Sequence, residues 1–213
     1  VLFRSGDYYE TDGTYPYSEV VENLLFRFDS PMYLRSLKTG ALIQAIAGAI
    51  FDADPTFFDD IDFLRAIGDA AKKRSALIDY AKKCGLYHNI GLTKMNLARL
   101  AESRSLFERE YQIYKLHTLT GRDDLAARPS TARYADIALG YQRWYNGEGG
   151  YPESYIRTTS PFRQMADVTA VAVFLEEECS GDAHAAIEKA ISLENKRFSP
   201  LVTAHLSSED LKQ

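Results

Sequence analysis

Side chains able to do chemistry are sparse in this sequence. Four histidines (His88, His117, His184, His205) and two cysteines (Cys84, Cys179) are scattered along it. They make no C-x-x-C pair and no H-E-x-x-H motif, and no serine sits in a nucleophile elbow, so spacing alone assigns neither a zinc site nor a covalent nucleophile. No Gly-rich turn joins a strand to a helix, which removes dinucleotide and P-loop phosphate binding. One combination stands out. It consists of Leu86-Tyr87-His88-Asn89-Ile90-Gly91, then Trp144-Tyr145-Asn146-Gly147-Glu148-Gly149-Gly150-Tyr151-Pro152-Glu153-Ser154, then Ser160-Pro161.

The elements that must position these residues follow from composition and pattern. The chain has 213 residues, 46% of them hydrophobic and 26% charged, with 14 Tyr and 11 Phe, which is enough for one domain with a substantial core. At this length roughly 70% of the extended-chain surface can be buried, so stability needs no metal or disulfide. A net charge of −5 and the absence of any basic run predict no nucleic-acid partner. No apolar run approaches the ~18 residues of a membrane span. The first residues also lack the basic and apolar regions of a secretory signal. Two free thiols, no membrane contact and a cytoplasmic location are therefore expected. Because the chain begins at Val1 without Met, a piece of something longer is also compatible with it.

Residues 1–17 read as an extended lead-in, and 18–213 as a single helical domain. A first helix is expected over 18–29. Ser30-Pro31 then opens an apolar helix, MYLRSLKTGALIQAIAGAIF, which should be central. Asp54-Pro55 predicts a short helix. Asp69 predicts another, ending at Gly85 as a C-terminal glycine. Ser105-Leu106-Phe107-Glu108 reads as a capping box for a helix running towards His117, and Ser130 starts TARYADIALGYQRWY. The Asn146–Pro152 stretch is a loop of residues that permit positive φ or fix it. Ser160-Pro161 opens a helix that is apolar almost all round, and shorter helices follow near 183–193 and 199–207. The fold class is all-α, with about eight helices around two buried ones. Lys72-Lys73-Arg74, Glu176-Glu177-Glu178, Asp123-Asp124 and Asp59-Asp60 read as solvated faces.

The three segments together resemble the HD-GYP branch of the HD-domain metal-dependent phosphohydrolases. That family's pattern reads H-D-I-G in the first place and H-H-x-W-Y-D-G-x-G-Y-P in the second. Order and separations match over residues 30–205, and Arg35-Ser36-Leu37-Lys38 falls where the family carries H-S-L-R. The resemblance implies an HD-domain-like helical bundle holding two or three iron or manganese ions. In such a bundle a metal-bound hydroxide attacks a phosphodiester, typically of cyclic di-GMP.

Carried over residue by residue, the first helix histidine is Arg35 and the H-D pair is His88-Asn89. The histidine of the family's H-P-x-x-G pattern is His117, with Gly121. The histidine pair before W-Y falls on Tyr141-Gln142, the aspartate of A-V-A-D on Val173, and the aspartate of W-Y-D-G on Asn146. Asn89 presents a neutral amide, Val173 has no donor, and Arg35 adds a fixed positive charge. A dinuclear site of about +4 charge cannot be held by two imidazoles beside a guanidinium, since like charge in a poorly solvated pocket costs several kcal/mol.

The resemblance thus implies vestigial metal positions at Arg35, His88, Asn89, His117, Tyr141, Gln142 and Val173, with no catalytic residue, metal or cofactor. Iron or manganese would enter only if the inactive reading fails. The retained loop comprises Asn146, Gly147, Gly149, Gly150, Tyr151 and Pro152. His88 and His117 are expected as hydrogen-bonded core histidines, His184 and His205 as surface residues, and Val173 as core. Arg35 either pairs with Asp136 or Asp167 in the former metal position, or joins Arg143 in holding a phosphate.

The leading reading is a catalytically inactive regulatory or protein-interaction module in bacterial cyclic-nucleotide signalling, with a protein partner or a neighbouring signalling domain. A non-hydrolysing nucleotide or phosphate sensor, taking a cyclic dinucleotide, is the second. A metal-dependent cyclic di-GMP phosphodiesterase with an atypical site is the third. A homodimer through an exposed helix face stays open, without a heptad seam to support it.

Overall fold

The structure, a computed structural model, describes residues 22, 26, 30–95, 101, 103–179 and 182–206. The lead-in over 1–17 and most of the helix expected over 18–29 lie outside the described residues, although Glu22 and Phe26 are helical. Helix α1 (Ser30–Ala53) is the expected apolar one. Its second half forms the centre of the core, where Ile43, Ile46, Ala47, Ile50 and Phe51 are all buried. Its first half is more open, and Leu34 and Leu37 are exposed there.

Turns replace the helix predicted at Asp54-Pro55. The Asp54 carboxylate accepts from the backbone N–H and the hydroxyl of Thr56, at 2.9 and 2.6 Å, a local bond that competes with helix formation. Helix α2 (Asp62–Arg65) starts only afterwards. Helix α3 (Ala70–Tyr87) begins as predicted, with the Asp69 carboxylate accepting the Lys72 N–H at 2.8 Å. It does not end at Gly85. A Cβ at Gly85 would lie 2.2 Å from the Gly40 Cα of α1, so this glycine marks a crossing where two backbones touch, and the helix continues through it. The charge runs are also less solvated than expected. Lys73 is buried and donates to the Pro55 carbonyl at 2.9 Å and to the Asp59 carboxylate, while Asp60 pairs with Arg163.

Helix α4 (Glu108–Tyr114) lacks the Ser105 box. Phe107 is the N-cap, and the Glu110 carboxylate accepts its N–H at 2.8 Å, which is the half of the motif that needs no hydroxyl. Helix α5 (His117–Ala126) follows after a two-residue turn. Helix α6 (Ala135–Gly140) stops short of the predicted Tyr145. The reason lies in its backbone donors: the Trp144 and Tyr145 N–H groups are taken by the Gly149 and Arg197 carbonyls, at 3.1 and 3.0 Å.

Helix α7 (Arg163–Glu178) opens after Ser160, whose Oγ accepts the Phe162 N–H at 3.1 Å. It buries Met165, Val168, Val171, Ala172 and Phe174. Helices α8 (Ala183–Ser192) and α9 (Pro200–Thr203) are the shorter ones expected near the end. Helix α1 packs on α3 and α7, and α5 packs on α6 and on the 3₁₀ turn Ile90–Lys94.

The fold is all-α, with about eight helices as the pattern predicts. Among the described residues only the isolated bridges Arg143–Gly150 and Glu194–Phe198 stand in place of strands. No described helix is long and apolar enough to cross a membrane. Cys84 is a buried and Cys179 an exposed free thiol.

Candidate functional site

Helix α3 delivers His88 and Asn89 at its C-terminal end, where both are buried. The His88 Nδ1–H donates to the Gly85 carbonyl at 2.7 Å. The Asn89 Oδ1 accepts the Ser36 hydroxyl of α1 at 3.2 Å. The 3₁₀ turn that follows can lie on α5 because Gly91 has no side chain: a Cβ there would stand 2.0 Å from the His117 carbonyl oxygen. Helix α5 then brings His117 to the same place, 1% exposed.

His117 has both ring nitrogens engaged. Nδ1 lies 2.8 Å from the Tyr114 carbonyl and Nε2 lies 2.7 Å from the Tyr141 hydroxyl. A carbonyl only accepts, so Nδ1 carries the proton and Nε2 accepts the Tyr141 O–H. The rings of His88 and Tyr141 meet edge to face at 5.0 Å. Burial pushes both histidines down to about 4, and His117 adds to the lowering at His88. Burial likewise holds the Tyr141 and Tyr151 phenols well above their ordinary range. At neutral pH the core of the site is therefore uncharged. His88 Nε2, the acceptor nitrogen of its neutral ring, makes no hydrogen bond among the described residues.

The loop after α6 closes the site. Gly147 and Gly150 take positive φ, at 77° and 71°, and the Tyr151–Pro152 peptide is cis. The Arg143 guanidinium donates to the carbonyls of Gly147, Gly149 (3.1 Å) and Gly150 (3.4 Å). It holds the loop together, and those donors are not turned towards a phosphate. Asn146 makes a turn with Glu148, through bonds of 2.9 and 3.0 Å. Tyr151 stands edge-on to His117 at 5.9 Å.

Other expected positions land elsewhere. Arg35 is exposed, and its neighbour Ser36 is the α1 residue that reaches Asn89. Neither carboxylate considered for Arg35 is its partner: Asp136 accepts the Ser160 hydroxyl at 2.6 Å, and Asp167 pairs with Arg157 at 2.9 and 3.1 Å. Glu177 is a carboxylate in electrostatic reach of Arg35: desolvation pushes it up, and the charges of Arg197 and Arg35 lower it. Val173 is buried on α7, and Gln142 is half-buried with its carbonyl accepting the Tyr151 N–H at 3.2 Å. His184 is exposed and His205 half-buried.

Tyr111, Tyr114 and Lys115 belong to no motif, although the three-residue steps Tyr111, Tyr114, His117 place three rings along one side of a helical segment, and Ser36 enters the sequence motif only as the neighbour of Arg35. Among the described residues no group of three or more His, Cys, Asp or Glu side chains converges as a metal site would require. No protein-family model matches the chain, and no curated protein matches it.

Proposed function

We propose that the chain is a catalytically inactive HD-GYP-like domain. On this reading it serves in the cytoplasm as a regulatory or interaction module of bacterial cyclic-nucleotide signalling, acting on a protein partner or a neighbouring signalling domain. One observation carries the reading. Tyr141, at a position where the resemblance calls for a ligand histidine, donates its hydroxyl proton to His117 Nε2 at 2.7 Å. The lone pair a metal would need is already engaged, and a phenol held above its ordinary range does not become a phenolate ligand. Asn89 is bonded to Ser36 as a neutral amide, and Val173 offers no donor. These residues do not fit two or three first-row metal ions, and no hydrolytic step follows from them.

The test is elemental analysis of protein purified without added metal or chelator, alongside a phosphodiesterase assay with Mn²⁺. Well under one iron or manganese per chain, with no turnover, is the expected result. One or two metals per chain, or turnover abolished by His88→Ala, overturns the proposal. A second reading, the non-hydrolysing sensor of a cyclic dinucleotide, is favoured by the unengaged His88 Nε2, an acceptor that can take a guanine N–H or a ribose hydroxyl though not a phosphate oxygen. Its test is calorimetry with cyclic di-GMP, where Arg35→Ala should remove the binding heat. No heat in the parent protein, or unchanged heat in the variant, removes this second reading.

A further inference from the structure

Helix α4 is the least embedded element around the site. None of its seven residues is buried. Its N-terminal turn is secured locally, the Glu110 carboxylate taking Arg104 at 2.7 and 2.8 Å and the Phe107 N–H at 2.8 Å. Its other end meets the loop. The Tyr111 and Tyr151 rings stand edge to face at 6.4 Å. The Lys115 ammonium lies 4.6 Å from the Tyr111 centroid and 5.9 Å from that of Tyr151, within reach of attraction by both ring faces. Tyr151 in turn covers His117. One ammonium therefore bridges an exposed helix and a glycine-rich loop whose Tyr151 ring packs against the buried His117.

We propose that α4 and the 146–152 loop are the two jaws of a lid over His88, His117 and Tyr141, latched by Lys115 between the Tyr111 and Tyr151 rings. The turn at Lys115-Leu116, which separates α4 from α5, is the hinge. Opening it draws Tyr151 away and uncovers His117. The latch regulates the site described above, yet its test needs no ligand, so a failed latch and a site that binds nothing give different results.

Diethyl pyrocarbonate acylates neutral imidazole nitrogen, and mass spectrometry of the full chain at pH 7 reads each histidine separately, with exposed His184 as reference. Lys115→Met, which keeps the stem and removes the charge, is expected to raise the His117 rate about threefold, the size of an exposed cation–π contact. Tyr111→Ala should raise it further, and Lys115→Arg should stay near the parent. Amide exchange across 108–116 should quicken in step, while α1 and α3 keep their protection. Unchanged His117 rates in both Lys115→Met and Tyr111→Ala overturn the lid. So does equal acceleration of exchange in α1 and α3, which marks general loosening instead of a local opening.

Discussion

Around the N-terminus of α7 the protein places ion pairs in partly buried positions, whereas the groups that bond and stack directly around His117 are neutral. In the first region Asp167 pairs with Arg157, their side chains 11% and 22% exposed, Arg163 pairs with Asp60, and Asp136 accepts from Ser160. Burial pushes the Asp167 carboxyl up and the Arg157 guanidinium opposes it. In the second region two imidazoles, two phenols, an amide and a hydroxyl meet without a full charge among them. The ionic cluster depends on keeping both partners of each pair, because a lone buried ion is costly. The neutral cluster depends on keeping protons where they are, because its groups tolerate burial only uncharged.

Acid should break the contrast most sharply. His88 and His117 sit at about 4 when folded, against 6.5 for an unperturbed histidine. Between those values the unfolded chain binds protons that the folded chain refuses, so stability present above pH ~6.5 is lost as pH falls to ~4. The loss is on the order of 3 kcal/mol for each histidine. Urea unfolding at pH 7, 5.5 and 4.5 measures it, and a flat profile would show that the imidazoles are not held neutral.

The ionic region comes next. Arg157→Ala leaves the Asp167 carboxylate without its guanidinium and should cost about 2 kcal/mol, discounted for partial exposure. Adding Asp167→Asn should restore most of it. A double-mutant cycle with no coupling would mean that the pair is incidental.

The smallest effect sharpens the neutral side. Tyr141→Phe removes a donor from His117 Nε2 and should cost about 1 kcal/mol. It should also move the His117 titration, followed by NMR, towards the neutral range, because a hydrogen bond to the uncharged ring is lost. An unmoved titration would separate Tyr141 from the protonation of His117.

Much of the scaffold is legible wherever a residue acts on its own neighbours. Asp69 caps α3 and Ser160 precedes α7 because each bond is made within three residues of chain. The meeting of His88, Asn89, His117 and Tyr141 is likewise what the motif positions imply. What cannot be read locally depends on distant partners. Gly85 has the look of a terminator, and only the approach of Gly40 makes it a contact. Arg35 occupies the motif position, yet the helix turns it outward and Ser36 inward. Asp54-Pro55 carries a helix start signal that a bond to Thr56 diverts. Lys73 belongs to a charge run, but Pro55 and Asp59 close over it.

The meeting of Gly40 with Gly85 acts as a pivot. Ser36 lies one turn before the first glycine and Asn89 one turn beyond the second, so their hydrogen bond sits on a lever arm of roughly 6 Å. A scissoring of 10° between the two helices would displace that pair by about 1 Å, and would swing Ile50, some 15 Å out, by nearly 3 Å. The buried Ile43, Ile46 and Ile50 resist such a swing at the far end, and the floor beneath the imidazoles, one turn from the crossing, would keep its registration in any case.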